Sequence, residues 1–174
     1  MAQQQNMNQF TQTAIKGRLS HNPAPNVISC QITTASSNTF YGGTAVKLIA
    51  GTANTILIEK SAATEAIFGF VIFNPKKPSG NTAGQTVEVA LPGSIMEMES
   101  SAAINRGQLV EQVATGDKVA AYAGVNTTVG VALDTATAAN QLVRVLIRTV
   151  AEYSSSSSSS SCRSSSSSSS SSAA

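Results

Sequence analysis

Between residues 26 and 150 the chain is a train of short apolar runs with a period of two, cut at regular intervals by turn residues. "QTVEVAL" sets Val87, Val89 and Leu91 on one side and Thr86 and Glu88 on the other. "SIMEMES" opposes Met96 and Met98 to Glu97 and Glu99, and "QLVRVLIR" opposes Val143, Val145 and Ile147 to Arg144 and Arg148. Successive side chains on a strand point to opposite faces, so this alternation suits a sheet with one dry face. Further runs are "NVISCQITT", "TAVKLIA", "NTILIEK", "AIFGFVIFN", "QLVEQVA", "KVAAYAG" and "TTVGVALD", with "PKKPSGNTAG", "LPG", "INRG", "ATGD" and "AGVN" as punctuation. Strands recurring about every 8–12 residues with such turns predict an all-β fold, a compact β-barrel or sandwich of short antiparallel strands.

Local patterns refine this. "TAVKLIA" and "NTILIEK" are separated by a hairpin-sized break. In "FGFVIF", Phe68, Phe70 and Ile72 alternate with Gly69, Val71 and Phe73, so both faces are apolar and the strand is central or covered twice. Residues 74–84 are too long for a tight turn, and Lys76 and Lys77, set between prolines, form a projecting tip suited to an acidic neighbour. Helical patterning is scarce: "SAATEA" suits one turn capped by Ser61, and "DTATAANQ" another turn or a loop.

The chain divides into three zones: an extended N-terminal arm (1–25), a β-barrel or sandwich domain (26–150) and a Ser-rich tail (151–174). At 174 residues there is room for one domain with a real core. The arm is rich in Gln and Asn, with Phe10, Ile15 and Leu19 as its large apolar groups, and Pro23 and Pro25 stiffen its exit. Alone, such a segment is expected to be disordered, and its functional reading is an arm that lies on a partner, anchored by Phe10 or Ile15. Residues 154–172 are serine broken only by Cys162 and Arg163, a tract that buries nothing.

Charge is sparse. Charged residues make up 11% of the chain, against about 25% in an ordinary globular protein, and the formal net charge is +2. Lys16 and Arg18 stand in the arm without an acid, and no basic stripe interleaved with aromatics appears, so direct binding of nucleic acid is not expected. No run approaches the roughly 20 apolar residues of a membrane span, and the arm lacks a signal-peptide core, so synthesis in a cytoplasm without membrane attachment is expected. Cys30 in a strand and Cys162 in the tail read as free thiols, one buried and one exposed.

Residues for chemistry are few. The single histidine, His21, lies on a loose Pro-flanked linker, unsuited to the rigid register of a catalytic triad. Two distant cysteines and one histidine do not make a zinc site, and no phosphate-binding glycine loop occurs; "YGGTAV" lacks the Lys and the helix. Glu97 and Glu99 face the same way and read as a solvated outer face, while Asp117 and Asp134 suit turns. Neither an enzyme, a cofactor nor a metal is expected.

The order "AVKLIAGTANTILIEKSAATEAIFGFVIFNPKKPSGNTAGQTVEVAL", "INRGQLVEQVATGDKVA" and "VGVALDTATAANQLVRVLI" resembles the capsid cement, or head decoration, proteins of tailed bacteriophages. The matching pieces are residues 69–71, 84–89, 104–110 and 129–147, within a span of roughly 44–149. The resemblance implies a β-rich protein on the outer surface of the virion capsid. It would bridge major capsid subunits and stabilise the shell against the pressure of packaged DNA. Its partners would be the major capsid protein and neighbouring copies of itself, as a trimer or dimer. Phe10, Ile15, Lys16, Arg18, Lys76 and Lys77 are the expected contact residues. The same features also suit a head fibre or adhesin subunit that recognises a host surface, or a tail or baseplate structural subunit.

Overall fold

The alternating runs become ten strands in a computed structural model that describes residues 15–20, 24–51, 55–114 and 116–148. They are β1 (Val27–Ile32), β2 (Ala45–Ile49), β3 (Leu57–Lys60), β4 (Gly69–Val71), β5 (Thr86–Ala90), β6 (Ile95–Ser100), β7 (Leu109–Gln112), β8 (Lys118–Ala121), β9 (Thr128–Ala132) and β10 (Leu142–Ile147). Phe10, His21, Cys162 and the serine tract lie outside the described residues. Neither helical turn forms: residues 61–66 make a single reverse turn, Glu65 N–H bonding the Ala62 carbonyl while Glu65 Oε2 accepts from Ala62 N at 2.7 Å. Ser61 Oγ donates to the Ala62 carbonyl and caps nothing. Residues 137–140 are loop.

The strands close into two five-stranded barrels, β1-β3-β2-β4-β5 and β6-β8-β7-β9-β10. The order is the same in both, and so is the register. Val46 stands opposite Gly69 as Val110 stands opposite Gly130, and Cys30 opposite Val87 as Met98 opposite Val143. The isolated bridge Phe40–Asn81 recurs as Ile104–Ala136. The last turn of each barrel is held by a glutamine: Gln85 Oε1 accepts from Thr82 N at 3.2 Å, and Gln141 Oε1 from Thr137 N at 2.6 Å. The all-β architecture is as the sequence predicts. One pair in each barrel, β1–β3 and β6–β8, is parallel rather than antiparallel. Alternation tells which face of a strand is dry and not which strand lies beside it, so neither the partition nor the parallel pairs can be read from it.

The first barrel encloses Cys30, Ile32, Phe40, Val46, Ile58, Val71, Val87 and Val89. The second encloses Met96, Met98, Ile104, Val110, Val119, Val129, Val143, Val145 and Ile147, and into the same cluster the first barrel sends Ala45, Phe70 and Ala90. β4 is buried throughout: Val71 points into its own barrel and Phe70 into the cluster shared with the other. This is the doubly covered strand that "FGFVIF" predicts. Polar ties reinforce the junction. Asp117 accepts from Thr44 Oγ1 at 3.0 Å and lies 3.3 Å from Lys60 Nζ, Gln112 Nε2 donates to the Ser61 carbonyl at 2.9 Å, and Thr127 N to that of Ala63 at 2.7 Å. Asp117 is therefore a tether between barrels as well as a turn residue.

Candidate functional site

The end of the arm is part of the folded body. Residues 15–20 form a strap beside β6: Gly17 N donates to the Glu97 carbonyl, Glu97 N to that of Arg18 and Ser20 N to that of Ile95, at 2.7–2.9 Å. Leu19 and Met96 pair as a bridge. Glu97 Oε2 accepts from Ile15 N at 2.7 Å, and Lys16 Nζ lies 3.6 Å from Glu99. On its other side the strap ties to the first barrel, Phe73 N donating to the Gly17 carbonyl at 2.9 Å. Gly17 has φ 79° and packs on Gly42 and Gly43, whose backbone a Cβ there would strike. The "YGG" turn thus makes room for the strap. Glu97 and Glu99 hold the strap in place, a role that the reading of them as a solvated face misses.

Beside the strap rises the loop of residues 73–80, with Lys76 and Lys77 exposed. It divides two grooves. One, of about 250 Å³, is lined by Ile15, Tyr41, Phe73, Lys77, Pro78 and Asn81. The other, about 470 Å³, is bordered by Ser29, Lys76, Thr86 and Glu88. Of the contact residues expected from sequence, Ile15, Lys16 and Lys77 meet around the first groove, Lys76 lies across the loop, and Arg18 continues along the strap. Phe10 lies outside the described residues. Tyr41, Phe73 and Asn81 complete the face; they are not singled out from the sequence as contact residues, since only the fold brings these separate segments together.

Charge on this face is partly committed. Glu99 also pairs with Lys118 at 2.7 Å, and the Lys118 hydrogen bond, with the charges of Lys16 and Lys118, holds its carboxyl below the usual range against the opposing effect of burial. Cys30 is a buried free cysteine whose thiol is pushed up by burial, the inert kind. No group of three or more metal-ligating side chains occurs among the described residues.

The geometry is thus a tandem barrel with a strap paired to β6 and a projecting loop beside it. The family model described as phage cement protein matches residues 61–148, just over half of the chain, and the chain belongs to that family. It is accordingly a phage structural protein associated with the virion capsid. Among solved structures it is similar to the N base of the head fiber gp8.5 of bacteriophage phi29. That likeness has 14% identity and a TM-score of 0.50, and covers 71% of this chain and 93% of that one. At such identity the likeness is one of fold. A search of curated proteins finds no match.

Proposed function

We propose that this protein decorates and cements the outer surface of a phage capsid, bridging major capsid subunits and stabilising the shell against packaged-DNA pressure. It transforms no molecule. The observation that carries this reading is the convergence of Ile15, Lys16, Tyr41 and Lys77 around one groove, with Lys76 exposed across the same loop. Phe10 and Arg18 extend the contact along the arm. Neighbouring copies, as a trimer or dimer, would repeat the face across the lattice, so that individually weak contacts gain from multivalency. Of the proposed arm, 1–25, the strap of residues 15–20 belongs to the body, and residues 151–174 are read as a separate Ser-rich tail.

The test is attachment to particles that lack the protein. Wild-type chain should bind them and raise the temperature at which they release DNA. Lys76→Glu with Lys77→Glu, and removal of residues 1–14, should each lose most of the attachment while keeping the thermal unfolding of the free chain. Removal of residues 1–24 should damage the fold itself. Full attachment by both of the first two variants would refute the assigned face.

A second reading is favoured by the solved relative, which is the base of a head fiber. The chain would then seat a projecting structure. Copy number separates the two: hundreds per particle for a cement, a handful for a fibre base.

A further inference from the structure

Two links of the second barrel are held in different ways. After β9 the chain passes from Leu133 to Ala136 over two residues, and Arg144 clamps that turn with paired bonds to Asp134, both at 2.7 Å. The link from β8 to β9, residues 122–127, is held from inside. At the β-bulge between Val110 and Glu111 the alternation of β7 breaks, and Val110, Glu111 and Gln112 are all buried. Glu111 is 4% exposed, and its carboxylate accepts from Ala123 N at 3.1 Å, Asn126 N at 3.3 Å and Asn126 Nδ2 at 3.1 Å. Taking a carboxylate out of water costs free energy, which such bonds offset, and bulges commonly re-aim a side chain. The loop so fixed carries Val125, which at 72% is the most exposed large apolar side chain among the described residues.

The matching link of the first barrel, from β3 to β4, carries the reverse feature. Lys47 occupies the place of Glu111, since Val46 matches Val110, and its ammonium pairs with Glu65 at 2.6 Å. Around that pair a shallow groove of about 540 Å³ is lined by Leu48, Ala66, Ile67 and Phe68. Leu48 is 53% exposed. The two links touch: Thr127 N donates to the Ala63 carbonyl and Thr127 Oγ1 to that of Glu65, both at 2.7 Å. Val125 stands two residues from Thr127, a reach of up to about 7 Å. An apolar tip and an apolar groove therefore flank the same reverse turn, and the exposure of Val125 shows that it does not fill the groove of its own chain.

We infer that two copies of the chain pair through this face, Val125 of each entering the Leu48 groove of the other. Adjacent tip and groove are what a two-fold contact needs, because one patch then serves on both sides and the fit is made twice. Charge permits it. Residues 119–133 carry none, and the two charged residues of the groove, Lys47 and Glu65, neutralise each other, so no unpaired charge is carried into the contact. Glu111 is a positioning residue: it fixes the loop before the copies meet, so little ordering is lost on contact. The pairing goes beyond the capsid-facing reading and shares no residue with the grooves beside the loop of residues 73–80. It is measured on the free chain, so its failure and that of particle attachment are distinguishable.

Sedimentation of the full chain over about 1–100 µM tests it. Wild type should pass from monomer to dimer. Val125→Asp and Leu48→Asp should each weaken the pairing about tenfold or more. Both side chains are exposed, so each variant should unfold at the wild-type temperature where the chain is monomeric. Mixed together, the two variants should pair better than either does alone, because one tip and one groove remain intact. Glu111→Gln should speed amide exchange in residues 123–126 and weaken pairing, whereas Val125→Asp should weaken pairing with that exchange unchanged. A wild-type chain that stays monomeric or assembles as a trimer would overturn the inference. So would a dimer that both aspartate variants leave intact, or a mixture that pairs no better than its parts.

Discussion

At the scale of single residues, Gly69 and Gly130 are the clearest twins. Each faces the matching valine of the neighbouring strand, and each lies against a carbonyl of the last strand of its barrel. A Cβ on Gly69 would sit 2.5 Å from the Ala90 oxygen, and one on Gly130 would strike that of Leu146. The clash is with backbone, which cannot swing aside as a side chain can. Gly69→Ala and Gly130→Ala should each cost about 2–3 kcal/mol, read by chemical denaturation, and Gly93→Ala, whose Cβ meets nothing, should lack that steric component. Glu99 gives a pH signature. Its carboxyl is held below its ordinary value of 4.5 by Lys118 and Lys16, so the ionised form favours the fold. That contribution is complete above 4.5 and fades as pH falls through the lowered value. Glu99→Gln should lose about 0.5–1 kcal/mol at neutral pH, the size expected of a partly exposed ion pair, and the difference from wild type should vanish in acid. A constant difference down to pH 3, or none at pH 7, would contradict this.

At the scale of elements, the strands were legible because burial on one face imposes a period of two. Met96 and Met98 are buried and Glu97 and Glu99 are not, as "SIMEMES" demands. The repeat of one strand order in both barrels was harder to see. Its trace is "GFVIF" beside "GVALD" and "VEVAL" beside "VRVLI", where only the glycine and the inward positions correspond. Outward positions differ between the barrels, Glu88 against Arg144 being one case. The strap was half legible. Ile15 and Leu19 marked it as apolar, but its pairing with β6 depends on Gly17 meeting Gly42 and Gly43, a contact between distant segments. The loop is the element whose removal is most informative. Replacing residues 73–80 by Asp-Thr, the two-residue turn of the second barrel, keeps barrel closure if Glu88→Arg is added to supply the clamp. The exchanged protein should unfold cooperatively and lose attachment to particles. Attachment at wild-type strength would remove the loop from the contact face.

At the scale of the molecule, the second barrel's core is completed by the first, which contributes Ala45, Phe70 and Ala90 to it. Residues 92–148 alone are close to the lower size at which a single core is stable, about 60 residues, where little more than half of the chain's surface is buried. The shared cluster makes up the shortfall: Phe70, fully buried, comes from β4 of the first barrel and packs with the core of the second. Asp117, Gln112 and Thr127 then fix the relative seating, since each bond crosses the junction. A tandem of independent barrels would melt in two steps, whereas a shared core couples them. Phe70→Ala should cost about 3–5 kcal/mol and should lower the stability of both barrels together. Calorimetry should show one transition before and after the change. Amide exchange should rise in β7 to β10 as well as in β1 to β5. Exchange confined to the first barrel would mean that the second stands on its own.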